Sequence, residues 1–98
     1  MKIYKISGFL DAKGWDKRIH ELNVTETAKS FVNEGNRISK DKLLKIDTIF
    51  REGHTLLRYY TYCREGEQQL ALDLIKNHIV EKVKKYKNEI DILYEFIL

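Results

Sequence analysis

Residues 67–98 read EQQLALDLIKNHIVEKVKKYKNEIDILYEFIL, a stretch without proline or glycine. One apolar row runs through it: Leu72, Ile75, Ile79, Val83, Tyr86, Ile90, Leu93 and Ile97. Steps of three and four place these side chains on one face of an α-helix. Some 30 residues rising roughly 1.5 Å each make a rod of about 45 Å. A compact domain of this length has a radius of gyration near 13 Å, and so a diameter of only about 30 to 35 Å. The helix is too long for its own body.

Its apolar content is also unevenly spread. The first turns are broad, with Leu70, Ala71, Leu72, Leu74 and Ile75, and the last turns are broader still, with Ile90, Ile92, Leu93, Tyr94, Phe96, Ile97 and Leu98. Between them the row is narrow and set among Lys82, Lys84, Lys85 and Lys87. A helix on one sheet should be widest in apolar cover over the sheet and polar where it overhangs, and this one is reversed at its far end. Glu67 to about Tyr86 is therefore expected to serve the protein's own sheet, which leaves a surplus from Ile90 onward. Two readings of that surplus stand open. The chain bends near Lys87-Asn88, where Asn is a tolerable cap, and folds its last turns back onto the core. Alternatively the helix runs on and buries Ile90, Leu93, Tyr94, Phe96 and Ile97 against a partner, its near-heptad spacing suiting a second copy.

The chain upstream of the helix reads as strands. Residues 2–10, KIYKISGFL, alternate loosely, as a strand flanked on both faces does. Asp11-Ala-Lys-Gly14 has turn composition, and residues 17–26 follow with His20, Leu22 and Val24 on one face, which predicts an antiparallel hairpin. Thr27–Val32 reads as a third strand, and Asn33-Glu-Gly-Asn36 as a turn because Gly and Asn accept positive φ. Residues 37–47, RISKDKLLKID, read as a strand with an irregular middle, or as a short helical turn capped by Ser39. After a charged loop at 48–54, TLLRYYTYC at 55–63 is the clearest strand of all. Glu65 and Glu67 complement the positive end of the helix that follows. The expected fold is α+β: a small antiparallel sheet of about four or five strands from residues 1–64, packed against one helix at 67–97, in a single domain.

Composition narrows the function. The chain has 98 residues, 43% of them hydrophobic and 11% aromatic, ample for the core of one domain and too few residues for a second domain. Its net charge is +3, well short of a dedicated nucleic-acid arm. Cys63 is the only cysteine, so an internal disulfide scaffold is excluded. The first residues lack the apolar run of a signal peptide, and no window has the length of a membrane span, so a soluble cytosolic protein without membrane contact is expected. Thirteen lysines against five arginines, many Ile and Tyr and no Pro are what an AT-rich coding sequence produces, as in phage and mobile-element genes.

Chemistry has little vocabulary here. His20, His54 and His78 are far apart and lack the pairing of a helical metal site, and Cys63 has no partner cysteine for zinc. There is no glycine-rich phosphate loop and no nucleophile elbow. No catalytic residue, metal or cofactor is expected. The leading expectation is a non-catalytic interaction protein, homodimeric through its last turns, that binds a protein partner, with inhibition of a host protein as the role a phage origin would carry. The alternative is a single-stranded nucleic-acid binder. Period two places Arg58, Tyr60 and Tyr62 on one strand face, and Lys29, Arg37, Lys40, Lys42 and Lys45 could hold phosphates beside them.

Overall fold

The computed structural model describes residues 1–11, 14–50 and 57–98, with side chains described outside 9–15 and 49–57. The middle of the first expected turn, the loop at 51–54 with His54, and the first two residues of the strand expected at 55–63 lie outside the described residues. In chain order the elements are β1 Lys2–Asp11, β2 Gly14–Asn23, β3 Thr25–Glu26, β4 Ser30–Asn33 and β5 Asn36–Ser39. A 3-10 turn at Lys40–Lys42 follows, then β6 Asp47–Phe50, β7 Leu57–Arg64 and α1 Gln68–Ile97.

The fold is α+β, but its strands form two sheets where one was expected. Four make an antiparallel sheet in the order β2-β1-β7-β6, and three make a second in the order β3-β4-β5. β1 pairs with β2 from Lys2↔Asn23 to Asp11↔Gly14, and with β7 from Ile3↔Arg64 to Leu10↔Leu57. The first strand thus lies in the middle of the larger sheet, with cover on both faces. Its alternation divides the work: Ile6 faces α1 and Ile3 faces the second sheet.

Two cores result. Ile6, Tyr59 and Cys63 meet Ala71 and Ile75 of α1, with Tyr4, Leu44, Ile46, Leu72 and Ile79 around them. On the other side Ile3, Val24 and Phe31 are sealed by Leu22, Ile38, Leu43 and Tyr62. The helix approaches β1 closely at Gly8, where an added Cβ would lie 3.4 Å from Ile75 Cγ2.

Local chemistry accounts for the connections. β4 and β5 are joined by Glu34 and Gly35 at φ 47° and 84°, the positive pair that a primed hairpin turn requires. At 37–47 both readings are met in part: β5 runs to Ser39, whose hydroxyl accepts from the Asp41 N–H at 3.3 Å to cap the 3-10 turn, and the next strand, β6 of the other sheet, begins at Asp47. Leu44, at φ 56°, donates its N–H to the Tyr62 carbonyl at 2.8 Å, which ties this segment to β7. Gly66 turns the chain at φ 88°, and the Glu67 carboxylate accepts from the Arg64 N–H at 3.0 Å, joining the end of β7 to the start of α1.

α1 is a single helix of 30 residues, and the bend expected as one reading at Lys87-Asn88 does not occur. With no Pro or Gly in it, nothing interrupts the backbone ladder. The molecule measures 58 × 24 × 21 Å, its radius of gyration of 16.7 Å exceeding the roughly 13 Å of a compact chain of this length. No helix among the described residues is long and apolar enough to cross a membrane.

Candidate interaction surface

The sheet's hold on α1 ends early. Ala71 and Ile75 are the buried helix residues, Leu72 and Ile79 pack against the same core, and from Val83 to Leu98 every residue is exposed. The sheet was expected to serve the helix to about Tyr86, and it stops one to two turns short of that. Tyr86 is 53% exposed. The reason is geometric: the sheet's width gives out while the apolar row continues.

The overhang carries the residues expected to meet a partner. Ile90 is 50% exposed, Leu93 64%, Tyr94 59%, Phe96 93% and Ile97 73%. Val83, Tyr86, Ile90, Leu93 and Ile97 extend the row that Ile75 and Ile79 begin, so one continuous stripe is covered by the sheet at one end and bare at the other. Ile92 and Phe96 widen the bare end on one flank. A contiguous apolar face of this kind is a candidate interaction surface.

A second apolar feature adjoins it, and sequence reasoning missed it. Beside α1, Gly8 and Lys17 form a groove with Leu72, Ile75, Ile79 and Val80, enclosing about 430 Å³. The helix lies over β1 and β7 and leaves this side of β2 open, so that Ile19 is 52% exposed. Ile19 breaks the alternation of β2 as an apolar residue on its charged side, between Lys17 and Glu21, and that was the available signal.

On the opposite face of the larger sheet, register sets Arg58, Tyr60 and Tyr62 beside Lys5 and Ser7 of β1, which in turn neighbour His20 and Arg18 of β2. Lys5 Nζ stands 4.6 Å from the Tyr60 ring centre and 6.0 Å from that of Tyr62. The two tyrosines meet edge to face at 6.1 Å, a corner and not a flat shelf. Burial, and then the charge of Arg58, lower the pKa of Lys5.

Of the basic residues expected to join that face, Lys42 is close enough to Tyr60 and Tyr62 to act on them by charge. Lys40 lies on the second-sheet side, 2.9 Å from Glu26 and 5.5 Å from the Phe31 ring centre, while Lys42 binds Asp47 at 3.1 Å. Glu26 also receives Arg64 at 3.6 Å, and the hydrogen bond from Lys40 is the main cause holding its pKa below the usual carboxylate value. Lys29, Arg37 and Lys45 are exposed. Two of the five cations are thus engaged by carboxylates.

The described chemistry-bearing residues lie on three different elements. Cys63 is fully buried between sheet and helix, and burial, followed by the charge of Glu67, pushes its thiol up to about 11, so it is protonated at neutral pH. His78 sits on α1 with its ring edge-on to Tyr59 at 5.2 Å, and His20 is on β2. Among the described residues no group of three or more His, Cys, Asp or Glu is placed to hold a metal ion.

Compared with known protein families, with curated proteins and with solved structures, the chain matches none.

Proposed function

We propose that this is a non-catalytic interaction protein, held as a homodimer by the overhanging part of α1 and binding a macromolecular partner. One observation carries the reading: a helix that leaves its own sheet at Ile79 and continues unbroken to Ile97 with its apolar row bare. Covering Val83, Tyr86, Ile90, Leu93 and Ile97 on both copies removes about half of each side chain from water, on the order of 10 kcal/mol in all. Association costs about 4–15 kcal/mol, so the dimer is expected to be reversible and to dissociate on dilution. The buried, protonated Cys63 supports a role without catalysis. Composition of the AT-rich kind supports a phage or mobile-element protein whose partner is a host protein that it occludes.

Sedimentation velocity on the intact protein and on Leu93→Glu tests this. A dimer that the substitution converts to a folded monomer is the expected outcome. A wild-type chain that sediments as a monomer at every concentration, together with a pull-down that returns no partner, would dispose of the reading.

A second reading, single-stranded nucleic acid on the face opposite the helix, is favoured by one observation, the shared placement of Arg58, Tyr60, Tyr62, Lys5, Arg18 and His20. It requires oligonucleotide binding that weakens steeply with salt and is lost in Tyr60→Ala.

A further inference from the structure

From Ile79, the last residue the sheet covers, through the bare residues to Ile97, the row is symmetric in a way that fits a second copy of the chain. Ile79, Val83, Tyr86, Ile90, Leu93 and Ile97 follow one another at steps of four, three, four, three, four, which read the same in both directions. The midpoint is Asn88. Laid against a reversed copy of itself about Asn88, the row matches Ile97 with Ile79, Leu93 with Val83 and Ile90 with Tyr86. Those are the cross-layers of an antiparallel helix pair with a heptad seam.

Charge follows the same symmetry. From Lys82 to Lys87 the helix carries Lys82, Lys84, Lys85 and Lys87 and no acid, and from Glu89 to Glu95 it carries Glu89, Asp91 and Glu95 and no base. Lys85 and Glu89 line one flank of the row, and Lys87 and Asp91 the other. Reversal about Asn88 brings Glu89 within a turn of the other copy's Lys85 and Asp91 within a turn of its Lys87, while Glu95 lies on the far face of the helix.

The sheet excludes the parallel arrangement. It covers the same face of α1 at Ile75 and Ile79 on which the bare row continues. A parallel partner in register would have to pass through the space that the sheet fills. An antiparallel partner ends where the sheet begins, since the free stretch from Val80 to Ile97 has its centre within a residue of Asn88.

We infer that two copies pair through α1 in antiparallel orientation, with a two-fold axis at the level of Asn88. This rests on the homodimer reading above and adds orientation and register to it. A C2 pair of this kind is isologous, so it closes and does not polymerise.

Disulfide trapping in full-length Cys63→Ala chains tests the arrangement. Chains carrying Lys82→Cys are mixed with chains carrying Phe96→Cys and oxidised mildly, with sedimentation of the reduced proteins run alongside. The expected result is a mixed Lys82→Cys to Phe96→Cys dimer, because the two positions share a flank and stand within about 3 Å of level across the axis. In a parallel pair they stand about 21 Å apart along the helix and cannot link. A reduced protein that sediments as a dimer yet fails to form the mixed link, while Leu93→Cys chains link to themselves, overturns the antiparallel register and leaves the homodimer. A monomer in sedimentation with no link overturns both.

Discussion

Ile79 and Val83 stand one turn apart on the same face of α1, yet Ile79 packs against the sheet core while Val83 is 59% exposed. Nothing in their chemistry separates them, since both are β-branched and apolar. What changes between them is the sheet beneath. This step divides the helix into a segment that holds the fold and a segment that the fold does not use. Substitutions on the two sides are therefore expected to differ in kind.

Ile75→Ala removes a buried contact from the helix–sheet core, at an expected cost of about 2–5 kcal/mol. Phe96→Ala, at a side chain 93% exposed, should change the stability of the single chain by less than about 0.5 kcal/mol. Chemical denaturation in dilute solution, where a reversible dimer has dissociated, measures both.

Gly8 lies under α1 with room for a methyl group and little more, the nearest atom to an added Cβ being Ile75 Cγ2 at 3.4 Å. Gly8→Ala should fold nearly as well as the wild type, and Gly8→Val, whose γ carbons meet Ile75, should lose about 1–3 kcal/mol. The difference between their unfolding midpoints in urea checks this.

Thr61 is fully buried on the helix face of β7, and its hydroxyl has no hydrogen-bond partner. Keeping that oxygen dry and unpaired carries a desolvation cost. Thr61→Val retains the shape and removes the oxygen, so a gain of about 1 kcal/mol is expected in thermal or urea unfolding.

The fold should weaken in alkali. The Cys63 thiol has an ordinary pKa of 9.0 and is raised to about 11 in the folded chain, so from pH 9 upward the unfolded chain gives up a proton that the folded one keeps. Stability is then complete below about 9 and falls as pH rises toward about 11. Burial raises the Tyr59 and Tyr62 hydroxyls as well, which acts in the same direction. Cys63→Ala should flatten the slope of stability against pH over this window, whatever it does to stability at neutral pH.

The elements that local pattern dictates were legible in the sequence. The β1–β2 hairpin, the aromatic strand β7, the turn at Glu34-Gly35 and the helix all follow from alternation, turn chemistry or three-four spacing. The division into two sheets was not legible. It depends on β1 pairing with β7 across more than fifty residues and on Ile3 and Ile6 facing different partners, and no local period records which strand lies beside which. Ser39 shows the limit at short range: its hydroxyl cap decides a 3-10 turn within a stretch whose apolar residues also suit a strand. For the candidate surface, the apolar excess at Ile90–Ile97 was readable from composition along the helix. The point where cover ends was not, because the row reads alike under the sheet and beyond it. The pairing of the basic residues was hidden for a related reason: Lys40 and Lys42 look free in sequence and are tied to Glu26 and Asp47 in space.

The central claim is that the bare row of α1 is covered by a second copy, and mass in solution tests it most directly. Light scattering across a dilution series should give about twice the 11.7 kDa of one chain when concentrated and fall toward 11.7 kDa on dilution, with Leu93→Glu at the lower value throughout. A wild-type mass that stays at 11.7 kDa up to the highest concentration would contradict the account.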